Sequence, residues 1–94
     1  MKRTSIFWLP QATKDLALLP HQIQESVFKK VDLLEDFPLM GPAMFGAFQG
    51  YRSLLMSPYL IIYKTKLGGR LEICRIIHGR RQRQLRLVSG EKNE

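Results

Sequence analysis

Residues 59–78 read Tyr59-Leu60-Ile61-Ile62-Tyr63-Lys64-Thr65-Lys66, Leu67-Gly68-Gly69, Arg70-Leu71-Glu72-Ile73-Cys74-Arg75-Ile76-Ile77-His78. Two runs rich in β-branched and aromatic residues flank a three-residue connection that ends in glycines. That is the chemistry of a tight antiparallel hairpin with a bulge, since glycine supplies the left-handed backbone such turns need. The unbroken apolar centre of the first run predicts a strand in the middle of a sheet. Residues 51–56 supply a third strand just upstream.

Upstream of this block the period changes from two to that of a helix. Ile23, Val27, Val31 and Leu34 recur every three or four residues between Pro20 and Pro38, with polar side chains on the other faces. The spacing predicts a helix from Pro20 to Phe37, with Glu25 four residues before Lys29 in the favourable order for an ion pair. Ala12, Leu16 and Leu19 mark a shorter helix that stops before Pro20. The apolar run at residues 5–9, closed by Pro10, reads as a first strand. Residues 38–50, with two prolines and three glycines, form a crossing loop. Its Met40, Met44, Phe45 and Phe48 should press it against the body. The expected order is β-α-α-β-β-β, an α+β fold with two N-terminal helices packed on one face of a small antiparallel sheet and the other face free to bind.

Length and charge bound the function. The chain has 94 residues, enough for one domain over 1–94, with a core at about 5–84 and a basic tail at 79–87. Residues 89–94 should fray. The net charge is +7 and the pI is about 10.0. Residues 1–49 carry five basic and five acidic side chains, so the whole excess comes from residues 50–94, with ten basic and three acidic. A field placed in one half attracts polyanions: nucleic acid, an anionic surface or an acidic protein segment. Cys74 is the single cysteine, which excludes an internal disulfide and fits a cytoplasmic protein. The apolar residues before Pro10 are too few for a signal peptide, and no stretch reaches membrane-spanning length. His21 and His78 lack metal-ligand spacing, so neither a metal nor a cofactor is expected. Cys74 reads as a small core residue, His21 as a solvent-facing one, and Trp8, Tyr51, Tyr59 and Tyr63 mainly as core, with Tyr51 or Tyr59 alternatively able to stack on a base.

The basic half also carries the residue types of metal-independent RNA cleavage. In that reaction a ribose 2′-OH attacks the adjacent phosphate, so protons must move and a charged phosphorane must be stabilised. Histidine moves protons near neutral pH, and the forked guanidinium of arginine matches phosphate oxygens. His78, Arg81 and Arg83 are the catalytic candidates. Arg52, Arg75, Arg80 and Lys64 are candidates for holding RNA phosphates. The same residues could equally form a non-catalytic patch or a partner-docking surface. Side chains alternate along a strand, so Arg75 and His78 should face opposite ways unless a bulge intervenes. If the helices cover the face of Ile73, Arg75 is partly buried and structural.

Tyr51-Arg52-Ser53-Leu54-Leu55, Tyr59-Leu60-Ile61-Ile62-Tyr63 and the run from Leu71 to His78-Gly79-Arg80-Arg81, taken in order with Lys14-Asp15-Leu16 and Leu19-Pro20, resemble the RelE/ParE toxins of type II toxin–antitoxin systems. The resemblance covers about residues 5–84. It implies a compact toxin that arrests growth and is silenced by an acidic, partly disordered antitoxin. It also implies one of two activities: ribosome-dependent cleavage of mRNA, as in RelE-like members, or inhibition of DNA gyrase without catalysis, as in ParE-like members. By family position, Arg52, Arg81 and Arg83 fall near the basic residues of cutting members. Leu54, Leu60 and the tail residues Leu85 and Leu87 stand where cutting members often have a basic residue, an arginine and a tyrosine. The "H-G-R-R" ending is frequent in ParE-like members, whereas the short helical region is more RelE-like. A basic nucleic-acid-binding module without toxicity remains a third reading.

Overall fold

A computed structural model describes residues 4–79. The chain runs β1 (Ser5–Trp8), α1 (Pro10–Ala17), α2 (His21–Asp32), two short 3-10 turns (Leu33–Glu35 and Gly46–Phe48), β2 (Arg52–Met56), β3 (Tyr59–Lys66) and β4 (Arg70–His78). Each start and stop has a local cause. Pro10 opens α1, where its missing N–H costs no hydrogen bond. Pro20 stands at the N-cap of α2. The α-helix ends at Asp32 rather than at Phe37. A 3-10 turn finishes it, and the Phe37 N–H donates to the Leu33 carbonyl (2.9 Å). Pro38 disfavours helical backbone at Phe37, which sets the outer limit of this turn. Glu25 meets His21 one turn back at 3.4 Å, on the exposed side of α2, rather than pairing forward with Lys29.

The sheet order is β1-β4-β3-β2. β3 therefore lies inside the sheet, as its apolar centre requires. The sheet is mixed, not wholly antiparallel. β1 runs parallel to β4, pairing Ser5 with Arg70 and Trp8 with Ile73. The parity of the connections explains this. The helices carry the chain back so that β2 starts in the direction of β1, and two hairpins then reverse it twice. β4 consequently returns beside β1 pointing the same way.

Both faces of the sheet are packed. On one, Ile61, Tyr63, Leu71, Ile73 and Ile76 meet Ala12, Leu16, Val27, Val31 and Leu34 from the helical side. Each such fully buried Val or Leu contributes about 1.5–3 kcal/mol by leaving water. On the other, Ile62 and Ile77 meet Met44, with Phe48, Tyr51 and Leu60 packed around them. The second face is thus partly covered by the 44–51 segment, where the alternation pattern left it open. The loop lies on the body through Met44 and Phe48, which have apolar sheet to bury against, whereas Met40 and Phe45 stay exposed.

Two strand residues fasten the start of that loop. The Tyr63 hydroxyl donates to the Pro38 carbonyl (2.8 Å) and accepts the Gly41 N–H (3.0 Å). Arg52 Nη1 donates to the carbonyls of Gly41 (2.8 Å) and Leu39 (3.3 Å).

Candidate functional site

A bulge decides which side chains reach the working end of β4. Ile62 pairs with Arg75 and Tyr63 with Ile73, leaving Cys74 as the extra residue. Alternation shifts by one there. Ile73 faces the helices, Arg75 comes to lie opposite Ile62 of the other cluster, and Ile76 returns to the helix side. The helices do cover the Ile73 face, but the bulge, not burial under them, sets the place of Arg75.

Arg75 is held by an acid from α1. Its Nε donates to Asp15 Oδ2 at 2.8 Å, and its Nη2 lies 3.5 Å from Oδ1. The same Oδ2 accepts the Ile76 N–H at 2.9 Å. Gln11 Nε2, one turn earlier in α1, donates to Oδ1 (3.2 Å). Partial burial alone would raise the Asp15 carboxyl. The hydrogen bonds from Arg75, Ile76 and Gln11, with the charge of Arg75, outweigh it and hold the group below its ordinary value.

Beside this knot is a pocket of about 480 Å³. Leu18, Leu19 and Ile76 form its apolar side, while Tyr59, His78, Arg75 and Asp15 bring polar groups to it. The rings of Tyr59 and His78 meet edge to face, with centroids 5.7 Å apart. One step further, the Gly79 N–H donates to the Pro58 carbonyl (2.7 Å), which ties the strand end to the β2–β3 turn. His78 thus stands on anchored backbone in the lining of a concave, mixed-polarity site. It offers a group that can exchange protons next to a surface on which a flat ring could rest.

The other sequence candidates are spread apart. Arg52 lies at the far side of the sheet with Nη1 committed to loop carbonyls, which gives it a structural task. Lys64 sits over the Tyr51 ring, 4.8 Å from the centroid, on the face away from the helices. Arg80, Arg81 and Arg83 lie outside the described residues, as do Leu85, Leu87 and the expected fray at 89–94. Cys74 belongs to neither core cluster. It is half-buried at the bulge, and burial, followed by the nearby Glu72 charge, pushes its thiol up. His21 is exposed, as expected. Among the described residues no group of three His, Cys, Asp or Glu side chains could hold a metal ion. Asp15 is not among the sequence candidates, and Tyr59 reads there mainly as core, with base stacking as the alternative. The Lys14-Asp15-Leu16 stretch was legible as a motif, but nothing in it says which strand the carboxylate meets.

The family model for the ParE toxin of the type II toxin–antitoxin system parDE matches residues 6–83. The chain belongs to this family. It is a member of the RelE/ParE toxin superfamily, as the order of its motifs led one to expect. No curated protein sequence matches it. Among solved structures, the toxin–antitoxin complex RelBE2 of Mycobacterium tuberculosis superposes with a TM-score of 0.75 at 23% identity, over 81% of this chain and 98% of that one. A YafQ variant from E. coli gives 0.67 at 22% identity, over 84% and 97%. The chromosomal ParDE system of P. aeruginosa gives 0.57 at 19% identity, over 80% and 95%. These likenesses establish that this ParE-family toxin has the α+β fold of the superfamily, two helices on a mixed four-stranded sheet. No helix of its described residues is long and apolar enough to cross a membrane.

Proposed function

We propose that this protein arrests growth by cutting mRNA on the ribosome and that a cognate acidic antitoxin silences it. The observation that carries the reading is His78. It lines a pocket of about 480 Å³, against Tyr59 and within the same lining as Arg75. In this reading the neutral imidazole takes the proton of a ribose 2′-OH. The 2′ oxygen bonds to phosphorus, the bond to the 5′ oxygen breaks, and the proton returns to that oxygen through water. The products are a 2′,3′-cyclic phosphate and a 5′-hydroxyl. Arg81 and Arg83 would stabilise the phosphorane, and Arg80 and Lys64 would attract flanking phosphates. Arg75 would add only the part of its charge that Asp15 leaves unbalanced. The antitoxin is inferred from the +7 charge and from the antitoxin-bound state of the RelBE2 structure.

Purified toxin added to ribosomes programmed with a defined message should create new 5′ ends at the A-site codon. His78→Gln should abolish them while antitoxin binding persists. Uncut message from a preparation that still stops growth would sink the nuclease reading.

A specific observation favours a second reading, inhibition of DNA gyrase without catalysis. The guanidinium groups of Arg52 and Arg75 already serve intramolecular partners, so two of the phosphate-holding candidates are engaged before any RNA arrives. A supercoiling assay with the same preparation separates the two. Inhibition should then survive His78→Gln.

A further inference from the structure

We propose that Asp15 is a positioning residue for His78: its carboxylate closes the edge of β4 that β1 leaves bare and fixes Arg75 along the pocket wall. The inference deepens the nuclease reading of this site and rests on it for its kinetic arm.

The argument starts from the lengths of the strands. β1 stops at Trp8, opposite Ile73. The Leu9 N–H donates to the Ile73 carbonyl (3.0 Å), and Pro10 then turns the chain into α1. β4 continues for five more residues, to His78, paired with β3 alone. Its β1-side edge would therefore be bare where the site is built. Ile76 lies on that stretch and is only 4% exposed, so its N–H has little access to water. A buried backbone donor needs a partner. No strand supplies one; Asp15 does, at 2.9 Å, from the last turns of the helix that displaced the strand.

The same oxygen, Oδ2, holds Arg75 Nε at 2.8 Å. A single carboxylate thus fixes two consecutive residues of β4, one through the backbone and one through the side chain. His78 is two residues further on, with its backbone tied from the other side by the Gly79–Pro58 bond. Losing the Asp15 tether would leave residues 75–78 held on one edge only, and the imidazole would move relative to Tyr59 and Arg75. Reaction geometry tolerates such movement poorly. Asp15 itself need touch no RNA.

Asp15→Asn keeps an oxygen for the Ile76 N–H but removes the charge; Asp15→Ala removes both. The experiment compares both variants with Asp32→Asn, an exposed control on α2, by nitrogen-15 NMR of the His78 ring and the Ile76 amide and by single-turnover cleavage. Asp15→Ala should shift the His78 and Ile76 signals while leaving those of the 38–50 loop in place, and Asp15→Asn should shift them less. Cleavage should lose kcat, by up to about 100-fold in Asp15→Ala, with KM little changed, and Asp15→Asn should recover part of the loss. Should Asp15→Ala fail to fold, Asp15→Asn still decides. His78 signals identical to wild type in the folded variant overturn the inference. So does a loss confined to KM. Absence of cleavage by the wild-type toxin overturns the nuclease reading instead, and the NMR comparison then judges the tether by itself.

Discussion

The hydroxyl of Tyr63, at the centre of the sheet, accepts the N–H of Gly41 at 3.0 Å across 22 residues of chain. The approach is so close that a Cβ on Gly41 would lie 2.6 Å from the Ser53 carbonyl oxygen and 2.9 Å from the Tyr63 ring. The loop can cross the sheet here because residue 41 has no side chain. Tyr63→Phe keeps the ring but strands a buried backbone donor, which costs about 1–3 kcal/mol. Gly41→Ala forces backbone or ring to move, at a typical overpacking cost of about 1–3 kcal/mol. Denaturant melts should show both losses. Because the two share one contact, the double variant should lose less than the sum of the singles. Strict additivity would show that the contact does not hold the loop.

The hairpin at residues 59–78 and the helix after Pro20 were legible because period and turn chemistry are local. Ile61, Leu71 and Ile73 could be assigned to buried strands on the same ground. Three features were not legible. The parallel pairing of Trp8 with Ile73 depends on how many reversals separate β1 from β4, not on either strand's own residues. The bulge at Cys74 is a mismatch of register between two strands that each read as regular, and it moves Arg75 to the other face. The Asp15–Arg75 pair joins residues 60 apart in sequence and arises only once α1 replaces β1 along the edge of β4. The His/Arg composition of the site could be read from the sequence, but its geometry depends on these non-local events.

Cys74 should be a poor nucleophile. Its thiol is pushed up by burial and by Glu72, so less thiolate is present at a given pH than for a free cysteine. Its Sγ also lies 3.6 Å from the Glu72 carbonyl oxygen. Alkylation of the folded protein at pH 8 should run several-fold slower than in denaturant, by a thiol assay. Cys74→Ser should leave growth arrest intact. Rapid alkylation of the native protein, or loss of toxicity in the serine variant, would mean that the thiol takes part in the toxin's action.

Antitoxin capture should depend on salt more through its on-rate than its off-rate. The charge excess is confined to residues 50–94, and an acidic partner is steered by such a field before contact. At 0.1 M salt the screening length is about 10 Å, and at 1 M it is about 3 Å. Stopped-flow association should slow by at least about tenfold across that range, while dissociation changes little. An on-rate indifferent to salt would mean that apolar contacts, such as the exposed Leu33, Phe37 and Leu39, direct the encounter instead.

Asp15 should also make the protein acid-sensitive in a way one substitution removes. Its folded-state pKa lies below the unfolded value of 3.8, because Arg75, Ile76 and Gln11 together outweigh the effect of burial. A carboxyl shifted downward binds protons more readily in the unfolded state. Its contribution to stability is therefore complete above about pH 5 and is lost as pH falls through 3.8 and below. Arg75 stays charged throughout, so the loss reflects the carboxyl alone. Asp15→Asn has no such proton to take up. The stability difference between wild type and this variant, measured by chemical denaturation, should be constant from pH 5 to 7 and should shrink steadily from pH 4 downward. Comparing the two proteins cancels the remaining carboxylates, which titrate in both. A difference that does not change between pH 5 and pH 3 would mean that the Asp15–Arg75 pair persists equally well with the acid protonated, and its hold on β4 would then rest on shape rather than charge.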